Sequence, residues 1–171
     1  MNTSWTRRTL PLATMIGFAV ALAGCEQSGA PEPQESGATA EANGPDAKPG
    51  ISASDARLVL PAVAGRPGVV YFNVRNGNAG VESLAGVYVT GVDRAEMHRT
   101  EGGKMSPVES LAIAAGETAT FAPGGLHVMA FDVADTLKAG GATELTLTFA
   151  DGDKVSVPVK IEAMGAAGAK R

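Results

Sequence analysis

Cysteine and histidine are scarce in this chain of 171 residues, which contains one cysteine and two histidines. A single cysteine excludes an intramolecular disulfide, a CxxC redox site and a cysteine-based zinc cluster. Two histidines are too few for a three-histidine metal site, and they leave little material for a catalytic triad. Basic residues are outnumbered as well, and the net charge of −4 argues against nucleic acid as a partner.

The apolar run near the N-terminus is also short: Leu10–Leu22 has 13 residues, whereas a membrane span needs about 20. Arg7 and Arg8 precede this run, and a Leu-Ala-Gly-Cys sequence that resembles a bacterial lipobox ends at Cys25. We therefore predict that residues 1–24 are a signal peptide and that Cys25 becomes lipidated. The lipid would hold the protein at the periplasmic, extracytoplasmic face of a bacterial membrane, and the sequence leaves open which membrane.

The remainder divides by composition into three parts. Residues 25–50 contain four prolines and no large apolar side chain, so we predict a disordered linker there. Residues 51–164 hold the apolar residues that can build a core, and we predict one folded domain over that range. Residues 165–171 are expected to form a flexible tail.

Within the folded region, β-strand signals separated by turn signals recur about every ten residues. Glu144–Phe149 alternates apolar and polar side chains, Asp151-Gly152-Asp153 provides a turn, and Val155–Ile161 alternates again. A second hairpin is predicted around Glu101-Gly102-Gly103. No stretch shows a helical period, so the pattern predicts an all-β sandwich or barrel.

Both histidines lie close to methionines. His127 and Met129 are two residues apart in a predicted strand, so their side chains point to one face. His98 and Met105 flank the glycine turn of the second hairpin, which could bring them together. Imidazole and thioether groups form a soft, neutral donor set, which favours Cu(I) over Zn²⁺, Mg²⁺ or Ca²⁺.

Methionines on strands more often fill a core, and this alternative applies here too. Met97 is next to His98, so we expect its side chain to point to the opposite face. Met164 lies near the C-terminal tail and is expected to have no special role. On spacing alone, core packing and metal binding both remain open for the His127 and Met129 pair.

Longer motifs carry a resemblance to a known family. Met105 and His127 are separated by 21 residues, and His127-Val128-Met129 closes the pattern. From about Ser54 to Ile161 the chain resembles the PCu(A)C family of periplasmic copper chaperones, which has the same spacing. Further similar sequences are Glu96-Met97-His98, Ile113-Ala-Ala-Gly-Glu-Thr118 and Pro123-Gly-Gly-Leu-His-Val-Met129.

The resemblance implies a cupredoxin-like or Ig-like Greek-key β-sandwich of about seven to nine strands. It also implies a Cu(I) site formed by His98, Met105, His127 and Met129, with no enzymatic activity. The family's recipient is the copper subunit of cytochrome oxidase, sometimes with Sco-type copper proteins as companions. One departure is that six residues separate His98 from Met105, where the family usually has ten or eleven, so we expect Met105 to shift relative to His98.

Other functions are weighed against copper delivery. A blue-copper electron-transfer site needs a cysteine thiolate, and the only cysteine is Cys25 at the lipobox. An enzyme is disfavoured because no triad order or carboxylate pair stands out, although Glu96 and Glu101 lie near the cluster. A copper buffer that confers resistance could have an identical site. A non-metal Ig-like binding lipoprotein would contain the same residues without using them for copper.

Overall fold

The computed structural model describes residues 48–165, and ten β-strands account for most of this range. It contains no helix long and apolar enough to cross a membrane. The all-β class predicted from the sequence is confirmed, with ten strands where about seven to nine were expected. The strands are β1 (Ile51–Leu60), β2 (Gly68–Asn76), β3 (Glu82–Val89), β4 (Val92–Glu101), β5 (Lys104–Pro107), β6 (Leu111–Ile113), β7 (Thr118–Phe121), β8 (Leu126–Val133), β9 (Ala142–Phe149) and β10 (Lys154–Ala163).

All ten strands belong to one sheet, in the order β5-β4-β8-β7-β2-β1-β10-β9-β3-β6. β3 and β4 follow each other in the chain but lie near opposite ends of this order. The sheet therefore curls on itself into a half-barrel, and β3 comes into contact with β4 across the interior. The two layers of the expected sandwich are the two halves of this continuous sheet.

The core fills the interior of the curl because alternate residues of each strand point inward. In the predicted β9–β10 hairpin, Leu145, Leu147 and Phe149 are buried on one strand and Val155 and Val157 on the other. The hairpin predicted from their alternation is confirmed. Closer to β8, the rings of Phe72 and Phe121 stack with their centroids 4.2 Å apart.

Lys48, which the sequence placed in the linker, packs against the domain. Its side chain is 6% exposed, forms ion pairs with Asp151 and Glu82, and lies over the ring of Phe149. The hydrogen bond to Asp151 raises the pKa of Lys48 above its ordinary value, against the opposing effect of burial, and lowers the pKa of Asp151. The predicted signal peptide, Cys25, the linker up to residue 47 and residues 166–171 lie outside the described residues.

Candidate metal site

The candidate site is built on the outer face of the β4–β8 ladder. The register pairs His98 with His127 and Glu96 with Met129. Because side chains alternate along a strand, these four residues share one face of the sheet. Met97 lies on the opposite face, where it is buried in the core as the sequence predicted.

A tight hairpin brings β5 alongside β4. Gly102 and Gly103 both have positive φ, of 56° and 79°, which a two-residue type I′ turn requires and which glycine adopts without strain. The turn pairs Thr100 with Met105, so Met105 shares the outer face with His98, which is two residues before Thr100. The predicted hairpin is confirmed.

The shortened hairpin determines which histidine Met105 contacts. The Sδ atom of Met105 lies 3.2 Å from Nε2 of His127. The sequence led us to expect Met105 to pair with His98 and the short turn to disturb that pairing. In the structure Met105 reaches across β4 to the histidine of β8, and its side chain remains 55% exposed.

Backbone carbonyls orient both imidazoles. Nδ1 of His127 is 2.9 Å from the carbonyl oxygen of Gly125, and Nδ1 of His98 is 3.3 Å from that of Glu96. With each Nδ1–H donating to its carbonyl, the lone pair of each ring is on Nε2. The two rings are nearly parallel, at 21°, with centroids 6.0 Å apart.

This arrangement leaves two unprotonated donor atoms, Nε2 of His127 and Sδ of Met105, facing each other at 3.2 Å. Ligands that bind one metal at about 2.0 Å for nitrogen and 2.3 Å for sulfur are separated by about 3.5 Å at the tetrahedral angle and by about 3.2 Å when the angle is near 95°. The observed distance therefore suits two ligands of one ion. Within residues 48–165, no three His, Cys, Asp or Glu residues are grouped to hold a metal, so a site here depends on thioethers. Such a donor set fits Cu(I).

The predicted site residues are not equally placed. His98, Met105 and His127 are linked by the ring pair and by the nitrogen–sulfur contact. Met129 lies two residues after His127 on β8 and shares their face, where it is directly across the ladder from Glu96. Met164 is exposed just beyond the end of β10.

Sequence reasoning missed two residues beside this cluster. Arg94 forms an ion pair with Glu96, and its guanidinium lies 4.0 Å from the ring centre of Phe131, its partner across the ladder. The alternate spacing of Arg94, Glu96 and His98 was visible in the sequence. The position of Phe131 opposite Arg94 depends on the register between β4 and β8, which the sequence does not reveal.

One family model matches the folded part of the chain. The family model described as "Putative lipoprotein LpqE-like" matches residues 51–161, which is most of the chain. The chain belongs to the LpqE-like family. A relative from Leifsonia xyli subsp. xyli, named "Putative lipoprotein Lxx21020", is 29% identical over 162 residues, which cover 91% of this chain and 92% of the relative.

Solved structures share the fold. The apo PCuAC domain of PmoF2 has a TM-score of 0.61 and 24% identity, over 70% of this chain and 95% of that domain. The copper-bound PCuAC domain of PmoF2 has a TM-score of 0.59 and 24% identity, over 68% and 96%. Cu(I)-bound DR1885 from Deinococcus radiodurans has a TM-score of 0.57 and 23% identity, over 71% and 83%. The resemblance inferred from the motifs is thus confirmed at the level of the PCuAC fold.

Proposed function

We propose that this LpqE-like protein is a copper chaperone that binds one Cu(I) ion through His98, Met105, His127 and Met129. The observation that carries the proposal is the 3.2 Å approach of His127 Nε2 to Met105 Sδ, with the proton of each imidazole committed to a backbone carbonyl. Two donors of this kind repel each other when no cation lies between them. Binding a soft cation removes that repulsion, and the donors are already oriented for it.

The solved structures with the same fold also support copper as the ion that this protein carries. The structures of PmoF2 and DR1885 include copper-bound and Cu(I)-bound forms. This chain combines their fold with a histidine–methionine cluster on one strand face. Thioethers also suit an oxidising compartment because, unlike thiols, they do not form disulfides.

A carrier must both hold copper and release it, and the exposure of the site suits release. His127 is 7% exposed and held by a 2.9 Å hydrogen bond to Gly125, whereas Met105 is more than half exposed on the edge strand β5. His98 also borders an open cavity of about 450 Å³ between β3 and β4. An incoming ligand can therefore displace the exposed thioether first, while His127 still holds the ion.

We place the protein at the periplasmic, extracytoplasmic face of a bacterial membrane, anchored through lipidated Cys25. Both the family model and the Leifsonia relative are described as lipoproteins, which supports an anchor. The recipient we propose is the copper subunit of cytochrome oxidase, with Sco-type copper proteins as companions. The 22 residues from Glu26 to Ala47, as a flexible linker, would let the domain search about 25 Å from its anchor.

A transfer assay tests this function. The full chain carrying Cys25→Ser, which removes the only thiol, is loaded with Cu(I) and mixed with the metal-free copper subunit of the oxidase from the same cell. We expect copper to move to the subunit and to generate its copper absorption bands after oxidation. Retention of copper by the loaded chain would contradict delivery to the oxidase and would favour a buffering role.

A further inference from the structure

A second cavity lies between β1 and β10, away from the candidate metal site. These strands pair in parallel from Arg57, which is opposite Lys160, to Leu60, which is opposite Ala163. Just before this stretch, a bulge between Ser54 and Arg57 interrupts the pairing of β1 with β2. An open cleft of about 500 Å³ lies there, within the range of about 300–1,000 Å³ that is typical of small-molecule pockets. In the sheet, β2 lies between this cleft and β8.

The inner part of the cleft is apolar. Ala53 and Ala56 line it from β1, and Val157 and Val159 line it from β10. All four residues are buried and belong to the core cluster. The cleft therefore reaches from the surface to the edge of the core, and its inner part suits an apolar group of a ligand.

The outer part of the cleft carries charges of both signs. Two acidic and two basic side chains line it: Asp55, Arg57, Lys160 and Glu162. Hydrogen bonds from Ser54 and Asn73 lower the pKa of Asp55, so this carboxyl group is ionised at neutral pH. The four formal charges sum to zero. A simple anion would meet two carboxylates here and a simple cation would meet two basic groups, so a ligand that carries both charges fits best.

Arg57 and Glu162 each place a buried polar atom at the cleft. Nε of Arg57 and Oε2 of Glu162 are 3.9 Å apart, which is too far for a hydrogen bond. Within residues 48–165 neither atom has a hydrogen-bond partner. One atom is a donor and the other is an acceptor. A ligand that brings one acceptor and one donor would satisfy both, and burying such atoms without partners is unfavourable.

Another arginine of the same sheet shows the alternative arrangement. The guanidinium of Arg94 lies over the ring of Phe131 and forms a direct ion pair with Glu96. The guanidinium of Arg57 is likewise held over an aromatic ring, 4.9 Å from the ring centre of Tyr71, but its carboxylate neighbour lies beyond hydrogen-bond distance. Arg57 is therefore held in position with donors that are available to bind a carboxylate.

We propose that the cleft between β1 and β10 binds a small zwitterion of the α-amino acid class that has an apolar side chain. The ligand's carboxylate accepts hydrogen bonds from Arg57 and is attracted by Lys160. Its ammonium group donates to Glu162 and is attracted by Asp55. Its side chain occupies the apolar inner part of the cleft. This binding site is separate from the proposed copper site and does not rest on it.

The test is an NMR titration of the full chain carrying Cys25→Ser, labelled with a nitrogen isotope. L-Leucine is the probe, isocaproate is the same molecule without the ammonium group, and isopentylamine is the same molecule without the carboxylate. We expect leucine to cause saturable shifts in the amide signals of β1 and β10. Its affinity should exceed that of either analogue by at least about tenfold, the lower end of what a hydrogen bond to a charged group contributes. Glycine should bind more weakly than leucine, because it has no side chain to bury.

Two variants separate the roles of the charged groups. Arg57→Gln should lower leucine affinity at least about tenfold, since it removes the charged partner of the carboxylate. Glu162→Gln should lower leucine affinity to about that of isocaproate, without lowering the affinity for isocaproate itself. Arg94→Gln is the matched control, because it removes an arginine that also lies over an aromatic ring, and its leucine affinity should equal that of the parent. Circular dichroism confirms that each variant is folded.

Three results would overturn the proposal: no saturable response of β1 and β10 to leucine, an analogue that binds as tightly as leucine, or equal losses in Arg57→Gln and Arg94→Gln. Glu162→Gln keeps the test decisive if Arg57→Gln does not fold. We expect both cleft variants to bind Cu(I) as the parent does. Failure of the copper site would therefore leave this test unaffected.

Discussion

The two faces of the β4–β8 ladder differ although they are built from alternating residues of the same strands. On the inner face Met97 and Val128 are directly opposed and buried in the core. On the outer face, one residue along each strand, His98 and His127 are directly opposed and belong to the donor cluster. The comparison teaches that a rigid binding site needs little structure of its own, since the core on the other side of the same backbone fixes its geometry.

The largest expected effect comes from removing donors on the outer face. His127→Ala combined with Met129→Ala should lower Cu(I) affinity by about a hundredfold or more, because it deletes two ligands where loss of one outer-sphere group already costs about 10–100-fold. The protein should remain folded with a modestly lower thermal midpoint, because both residues lie on the outer face but His127 is buried and its loss removes a hydrogen bond to Gly125. Parent-like copper binding in this variant, measured by chelator competition, would show that the site lies elsewhere.

The reciprocal change acts on the inner face. Met97→Ala should lower the free energy of unfolding by about 2–5 kcal/mol, as buried methionine truncations do, because it opens a cavity in the core. Copper stoichiometry should remain unchanged below the midpoint of unfolding. Urea denaturation and copper titration of one preparation check both parts. A loss of copper affinity without a loss of stability would mean that Met97, and not the outer face alone, serves the metal.

Lowering the pH should weaken copper binding on the outer face before it lowers the stability of the fold. Protons compete with a metal ion for the imidazole nitrogen, so Cu(I) affinity should fall between pH 7 and pH 5. Stability should stay nearly constant over that interval. The hydrogen bond from Lys48 lowers the pKa of Asp151, and hydrogen bonds from Ser54 and Asn73 lower the pKa of Asp55.

A carboxylate with a lowered pKa in the folded state stabilises the fold above its ordinary pKa of 3.8. That contribution is lost as the pH falls through the lower, folded-state value, so the decline in stability begins below about pH 4. Chelator competition and urea denaturation across the pH series measure the two responses. If copper affinity and stability fell together between pH 7 and pH 5, the prediction that they respond to different pH ranges would be wrong.

The smallest expected effect belongs to the exposed thioether. Met105→Leu keeps the apolar volume but removes the sulfur 3.2 Å from His127. We expect Cu(I) affinity to fall by about tenfold, since two imidazoles and Met129 remain to hold the ion. Met164→Leu is the matched control, because Met164 is as exposed as Met105 but lies beyond β10. Equal affinities for the two variants would remove Met105 from the ligand set.

Local sequence patterns predicted more of the fold than of the site. The alternation in β9 and β10 and the turn between them predicted that hairpin, and two adjacent glycines predicted the turn between β4 and β5. The spacing of His127 and Met129 placed both on one face. These features depend on neighbours in the chain, so period and turn chemistry were enough to find them.

Features that depend on the pairing of strands far apart in the chain could not be predicted from local sequence patterns. His98 lies opposite His127 because β4 pairs with β8, although β5, β6 and β7 come between these two strands in the chain. The contact of Met105 with His127, rather than with His98, follows from that pairing together with the short turn. Lys48 likewise looked like part of a linker, because its partners Glu82 and Asp151 lie far along the chain.

The most direct test of the account is a Cu(I) competition titration of the full chain carrying Cys25→Ser, against a chromogenic chelator without oxygen. The account predicts tight binding of one copper per chain, lost when His127 and Met129 are both replaced by alanine. Absence of competition by the folded parent chain would contradict the copper site and leave an LpqE-like β-domain whose histidines and methionines serve another purpose.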